Sequence, residues 1–326
     1  MRIGLVSAFM ILFCSASAAL ADARQIDHAY GTTEISGTPQ RVVSLSYIGH
    51  DFLLALGTRP IALRYWYGTG EFGVWPWAEE ALGDAEPVLL YGGIDIEQIA
   101  LLSPDLIVGQ WSGMTEAEYR LLSQIAPTVP HPAGASAFSA SWQDMTAQLG
   151  IALDKEDQAS EVIAALEARF ERVQSAFPEW HDKTAVMVLP SRVSAFGSSD
   201  LRGRFLKDIG LQLPPAVDAM AGFDPNFIRI PDEAIAAIDT DVLIWAHSPN
   251  LNAALSAIPL RSSMRAVREG REVFADYDLT AALNHSSPLS LPYALDRLVP
   301  LIDAAIDGDL STQVPGWAEA MAGPTQ

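Results

Sequence analysis

The chain has 326 residues, of which 49% are hydrophobic, and 40 acidic side chains against 20 basic ones give it a formal net charge of −20. A chain this acidic repels nucleic acid and anionic lipid surfaces. Its single cysteine, Cys14, leaves no disulfide framework, thiolate metal site or thiol chemistry once the leader described next is removed.

The N-terminus reads as an export signal. Arg2 is followed by an apolar run over residues 3–13, then by small residues leading into A-L-A at 19–21 and A-D-A at 21–23. A basic start, an apolar stretch too short to span a bilayer, and small residues at −3 and −1 are the order signal peptidase recognises. We expect residues 1–23 to be cleaved near Ala21 or Ala23, and the mature chain to work in the periplasm. Cys14 lies inside the apolar run behind Phe13, which makes it a poor lipoprotein acceptor. About 300 residues then remain, more than one compact core usually holds, so two lobes are expected.

Along the mature chain, short apolar runs alternate with helical patterns, which predicts an α/β fold. Strands are predicted at 42–45, 60–63, 106–109, 186–189, 242–246 and 272–275, with helices such as 51–56 and 96–102 between them. One pattern recurs. I-E-Q-I-A-L-L-S-P-D-L-I-V-G (96–109) and P-D-E-A-I-A-A-I-D-T-D-V-L-I-W-A (231–246) each give a short helix with an early glutamate, a polar break holding an aspartate, and a buried strand. This suggests a duplicated lobe plan. Between the halves, Val162, Leu166, Phe170, Val173 and Phe177 recur at steps of three or four, so residues 155–177 form one long helix that stops before Pro178. At about 1.5 Å per residue it would reach about 33 Å, the length of a whole lobe. The expected plan is an N-terminal lobe at 24–150, a connecting helix at 151–178 and a C-terminal lobe at 179–326.

No G-x-S-x-G, H-E-x-x-H, Walker loop or dinucleotide G-x-G-x-x-G occurs, and the six histidines share no ligand spacing. No local motif carries catalysis, and no cofactor or metal site is expected.

G-T-P-Q-R-V-V-S-L (37–45), D-F-L-L-A-L-G-T-R-P (51–60), the 96–109 segment, F-G-S-S-D…L-K-D-I-G-L (196–211) and P-L-S-L-P-Y-A-L-D-R-L (288–298) together resemble the periplasmic iron-siderophore and cobalamin binding proteins of ABC importers. The resemblance covers nearly all of the mature chain. It implies two Rossmann-like α/β lobes joined by a single long α-helix, a ligand cleft between the lobes, and a monomer that docks onto an inner-membrane permease dimer. In that family a glutamate at the start of one helix in each lobe pairs with permease arginines, and the matching positions are Glu97 and Glu233. Physical chemistry agrees, because the first helical turn favours a carboxylate and an Arg–carboxylate pair fixes orientation.

Ligands of open α/β sheets sit beyond the carboxyl ends of strands. The residues there are Tyr47, then Arg64, Tyr65 and Trp66 in the run R-Y-W-Y, then Trp111, and in the second lobe Arg192, Trp245 and Tyr277, with Arg202 in the next helix. Aromatic rings beside arginines suit a ferric chelate, whose rim is apolar and whose core carries negative oxygens. Four large residues in a row, Arg64 to Tyr67, cannot all face one core, so some must line a cleft. Hydroxamate-binding relatives carry an arginine shortly before the helix near Ile96, where this chain has Gly93-Ile94, and Arg64 is the substitute. The chelate class stays open between hydroxamate, citrate-like and catecholate. Haem or cobalamin is the alternative ligand, with Tyr47, Tyr65, His50 or His247 available as an axial group, and a periplasmic enzyme acting on chelates is a further one.

Overall fold

The computed structural model describes residues 23–68, 70–222, 227–307, 309 and 311–316. Residues 1–22 of the expected leader, with Cys14 and the cleavage site at Ala21, lie outside the described residues, of which Ala23 is the first.

Strands β1 (Arg24–His28) and β2 (Gly31–Ile35) form an antiparallel hairpin with Arg24 opposite Ile35. Gly31 sits at φ 127, a region that suits glycine, and so closes the turn. Ile26 and His28 bury one face of the hairpin against the first lobe, two residues apart as strand geometry requires.

The first lobe is a parallel sheet of β3 (Val42–Ser44), β4 (Ala62–Arg64), β5 (Val88–Leu90), β6 (Leu106–Gly109) and β7 (Thr128–Pro130), in the order β5-β4-β3-β6-β7. Helices α1 (Gly49–Ala55), α2 (Pro76–Leu82), α3 (Ile96–Leu101) and α4 (Glu116–Leu122) make the crossovers between these strands. After β7 come α5 (Trp142–Leu153) and α6 (Glu156–Ala176). The second sheet contains β8 (Ala185–Leu189), β9 (Ser194–Phe196), β10 (Phe227–Arg229), β11 (Val242–Trp245) and β12 (Glu272–Phe274), in the order β10-β9-β8-β11-β12. The two orders are the same order. They differ in direction, because β9 runs antiparallel to β8 and β10 antiparallel to β9. Only residues 190–193 join β8 to β9, far too few for the crossover that a parallel neighbour needs. Helices α7 (Leu201–Asp208) and α8 (Pro215–Asp218) precede β10, a 3-10 helix over Asp232–Ile238 precedes β11, α9 (Leu251–Ser256) and α10 (Arg265–Arg268) precede β12, and α11 (Tyr277–His285) and α12 (Ser290–Ile306) follow it.

The recurring sequence pattern has a structural counterpart. β6 and β11 hold the same place in their sheets, each beside the first strand of its lobe, and each follows a short helix whose second residue is a glutamate. The long helix is also present. α6 spans 21 residues, with Lys155 and Phe177 as its flanking residues, and at about 1.5 Å per residue runs about 32 Å. Its Phe170 stacks near Trp142 of α5 and meets the edge of Phe205 of α7 at a centroid distance of 5.7 Å. One buried apolar cluster therefore continues from Val42, Phe52 and Val108 in the first lobe, through Leu166 and Phe170, to Phe205, Val242 and Leu295.

Candidate functional site

The register of the first sheet brings the ends of its strands together. Ser44 of β3 pairs with Leu63 and Val108, and Arg64, the last residue of β4, pairs with Leu90. Just past these ends the Tyr47 amide donates to the Trp111 carbonyl at 3.2 Å and the Tyr65 amide to the Leu90 carbonyl at 2.8 Å. Tyr47, Arg64, Tyr65 and Trp111 thus share one edge of the sheet.

Arg64 is only 7% exposed. Its Nε donates to the Gly92 carbonyl and one terminal nitrogen to the Ser112 carbonyl, both at 2.9 Å, and its Cζ lies 4.1 Å from the centre of the Tyr47 ring. No carboxylate pairs with it among the described residues. It reaches the β5–α3 loop at Gly92, beside the Gly93-Ile94 pair that stands in place of an arginine.

Around it stands a continuous group of rings. Trp66 lies 5.8 Å from Tyr47, 6.3 Å from Trp111 and 4.6 Å from Tyr67 by ring centroids. Trp111 packs against Phe138 at 5.1 Å, and its indole Nε1 is buried without a hydrogen-bond partner among the described residues. Tyr65 donates its hydroxyl to the Gly68 carbonyl and lies 5.2 Å from Tyr91. Tyr67 crosses to the second lobe: it receives a hydrogen bond from the Asn284 amide at 2.8 Å and approaches Tyr277 and His285. Burial pushes its phenol up to about 12, against the lowering effect of the Asn284 bond. Tyr277, 37% exposed at the rim, also contacts Trp75 and His247.

Beneath the rings lies a buried polar group. Trp75 and Trp77 stack at 5.2 Å and 6°, and Trp77 Nε1 donates to Asp51 Oδ2 at 2.8 Å. Ser287, from the segment between α11 and α12, donates to the same oxygen at 2.7 Å. His50 lies beside Asp51, and burial pushes its ring down to about 4. His285 donates Nδ1–H to the Ala281 carbonyl and is likewise lowered by burial.

In the second lobe the expectations fare unevenly. Arg202 stands near Tyr67 through their common partner Asn284, but its charge is met by Asp200, and its guanidinium lies 3.8 Å over Phe196. Arg192 is exposed on the turn after β8. Trp245 does not line the cleft. Within β11, Val242 and Ile244 join the core beside α6, whereas Leu243 and Trp245 face the opposite side of the sheet, as the two-residue alternation dictates. Trp245 is fully buried there, and its indole donates to Glu272. Sequence reasoning left out Asn284, His285, Ser287, Phe138 and Asp51; for the first three, the polar run N-H-S-S that ends α11 and leads toward α12 was the available signal. Glu97 and Glu233 are both exposed. A separate concavity of about 670 Å³, lined by Gln25, Asp27, Asp144 and Arg204 among others, lies on the flank beside the hairpin and has no aromatic lining.

A family model described as periplasmic binding protein matches residues 42–279, from the first strand of the first sheet to the start of α11. The chain belongs to the periplasmic binding protein family. This binding protein is 30% identical over 232 residues to the probable siderophore-binding lipoprotein YfiY of Bacillus subtilis (strain 168), covering 68% of each chain. Among solved structures, its fold matches a periplasmic solute binding protein from Mycobacterium smegmatis with a TM-score of 0.76 and 35% identity, over 89% of this chain and 99% of that one. It matches Streptococcus pneumoniae PiaA in complex with ferrichrome with a TM-score of 0.73 and 26% identity, over 87% and 98% of the two chains.

Proposed function

We propose that this chain is a periplasmic solute-binding protein that captures a ferric siderophore between its lobes and hands it, chemically unaltered, to an inner-membrane ABC permease dimer. The observation that carries this reading is Arg64, a buried guanidinium without a carboxylate partner among the described residues, set among the rings of Tyr47, Trp66 and Trp111 at the carboxyl ends of the first sheet. Such a site offers a charged donor to chelate oxygens and flat apolar surface to the ligand frame. The names of relatives agree with it, since YfiY is called siderophore-binding and the PiaA structure holds ferrichrome. On this reading Tyr47, Arg64, Tyr65, Trp66, Trp111 and Tyr277 line the cleft, the protein acts as a monomer without a resident cofactor, and lobes 24–150 and 179–326 close about the connecting segment 151–178, whose long helix is α6, Glu156–Ala176. Glu97 and Glu233 dock the two lobes onto the permease, as their matched and exposed positions on equivalent helices favour.

The test is a tryptophan-fluorescence titration of the mature protein with ferric chelates, haem and cobalamin. Eight tryptophans make quenching by a coloured ligand easy to follow. Saturable quenching by a ferric siderophore without turnover is expected, and its absence overturns the proposal. Replacing Glu97 and Glu233 together by Arg should abolish uptake and leave chelate affinity intact; a loss of affinity would remove the docking assignment.

A further inference from the structure

The charges that face the ring cluster nearly cancel. From the first lobe come Arg64, buried and without a carboxylate, and Asp51, buried and without an Arg or Lys partner beneath Trp77 among the described residues. From the second lobe comes Arg202, whose guanidinium is matched by the buried carboxylate of Asp200. Asp276, next to Tyr277, is matched by Arg297, and Asp278 adds a further carboxylate near the same ring. Arg192 carries its charge on an exposed turn, where water screens it. Burial lowers the pKa of His50, His247 and His285, so these rings are uncharged near neutral pH. The whole chain adds a field of net charge −20.

A ligand entering this cleft leaves water for walls made mostly of indole and phenol rings. An anion with several charges would lose its hydration and find one buried guanidinium in return, and unpaired buried charge is costly. A chelate whose charge is already balanced within itself escapes that cost. It still needs a few donors for its peripheral oxygens. Arg64, which bonds the Ser112 carbonyl, provides one, and the indole N–H of the adjoining Trp111, buried and without a partner among the described residues, is the second.

Building on the proposed capture of a ferric chelate, we infer that the cleft selects a chelate with no more than a single net negative charge, of tris-hydroxamate type, and discriminates against multiply anionic tris-catecholate and ferric-citrate complexes. Arg64 and Trp111 address the chelate oxygens, and Trp66, Tyr67 and Tyr277 cover its frame.

The experiment compares three ferric chelates by tryptophan quenching of the full mature protein at neutral pH: an uncharged tris-hydroxamate, a trianionic tris-catecholate and ferric citrate. The hydroxamate should bind at least about tenfold more tightly than either anion, as a few uncompensated charges at low dielectric require. Its affinity should change little when salt is raised. Equal or tighter binding of the catecholate or the citrate complex overturns the inference while leaving siderophore capture standing. Binding of none of the three, or of haem or cobalamin alone, overturns the proposed function and this inference with it. A second test works through a ratio measured within one variant, so partial unfolding does not confuse it. Tyr277→Lys places a cation at the rim and should shift the catecholate-to-hydroxamate affinity ratio about tenfold toward the catecholate. An unchanged ratio would show that wall charge does not set the selectivity.

Discussion

Ser287 donates its hydroxyl to Asp51 across 236 positions of sequence, a 2.7 Å hydrogen bond buried between the first turn of α1 and the segment that leads into α12. Trp77 donates to the same carboxylate oxygen, so Asp51 gathers α1, α2 and the C-terminal part of the chain at one point. Asp51→Ala strands both donors in a dry site, at about 1–3 kcal/mol for each buried group left unpaired. For a chain of this size the melting temperature should fall by roughly 5–12 °C. Asp51→Asn keeps an acceptor and should lose less than half as much. Thermal unfolding followed by circular dichroism checks both.

Stability should fall as the medium is acidified from neutrality. In the unfolded chain His50 takes a proton near its ordinary 6.5, but burial holds the folded ring down to about 4. Between those values the unfolded state binds more protons, so unfolding becomes easier as pH drops, and the effect is complete below about 4. Burial lowers His28, His131, His247 and His285 in the same direction. Asp208 opposes them, because burial raises its carboxyl to about 6 from 3.8, so its protonation favours the folded state over that window. The histidines outnumber it. The melting temperature should therefore decline steadily from pH 7 to 4.5, His50→Gln should flatten the decline, and Asp208→Asn should steepen it.

Much of this architecture was legible because its signals were local. The buried strands at 106–109, 185–189 and 242–245 announce themselves as apolar runs, and α6 through spaced Leu166, Phe170 and Val173. β5, β7, β9 and β10 have three residues each, too few to display a period, and β5, β7 and β10 pair with strands more than 20 positions away. The site divides in the same way. Arg64 to Tyr67 stood out as cleft candidates because four large residues in a row cannot share one core. Trp245 was misjudged because proximity to a strand's end does not reveal which face a side chain takes; its phase with Leu243 does. Asn284 and Ser287 act through partners more than 200 positions away, which no local pattern reports.

The two tryptophans Trp66 and Trp245 should separate binding from folding. Trp245 fills the core on the far side of the second sheet, so Trp245→Ala should cost about 3–5 kcal/mol of stability. Trp245→Phe should cost less, and chelate affinity should be unchanged in whatever fraction remains folded. Trp66 is half-buried among the cleft rings. Trp66→Ala should leave the melting temperature within a few degrees and weaken chelate binding by about tenfold or more, as for a central aromatic anchor. Similar affinity losses for Trp66→Ala and Trp245→Phe would contradict the placement of the ligand on the ring cluster.

The close approach of α5 and α6 rests on Gly150. A methyl group built there would meet the Ala159 Cβ at 2.5 Å, with the Lys155 carbonyl oxygen at 3.3 Å. Two effects compete in Gly150→Ala. Removing a glycine from a helix interior gains about 1 kcal/mol, whereas overpacking a rigid contact costs about 1–3 kcal/mol. The clash should win, because a Cβ is fixed to its backbone and cannot rotate away as a longer side chain would. The helices must separate, and with them Phe170 moves from its contact with Phe205, the ring pair that links α6 to the second lobe. Gly150→Ala is therefore expected to destabilise the protein by up to about 2 kcal/mol. Ala159→Gly removes the opposing methyl, at a cost of about 1 kcal/mol in helix propensity. Combined, the two substitutions exchange one methyl for another across the same gap. The double variant should be more stable than the sum of the single losses, with a coupling of about 1 kcal/mol or more measured by denaturant unfolding. Additive losses would mean that the α5–α6 contact can relax around a methyl at Gly150, and that its closeness does not depend on the glycine.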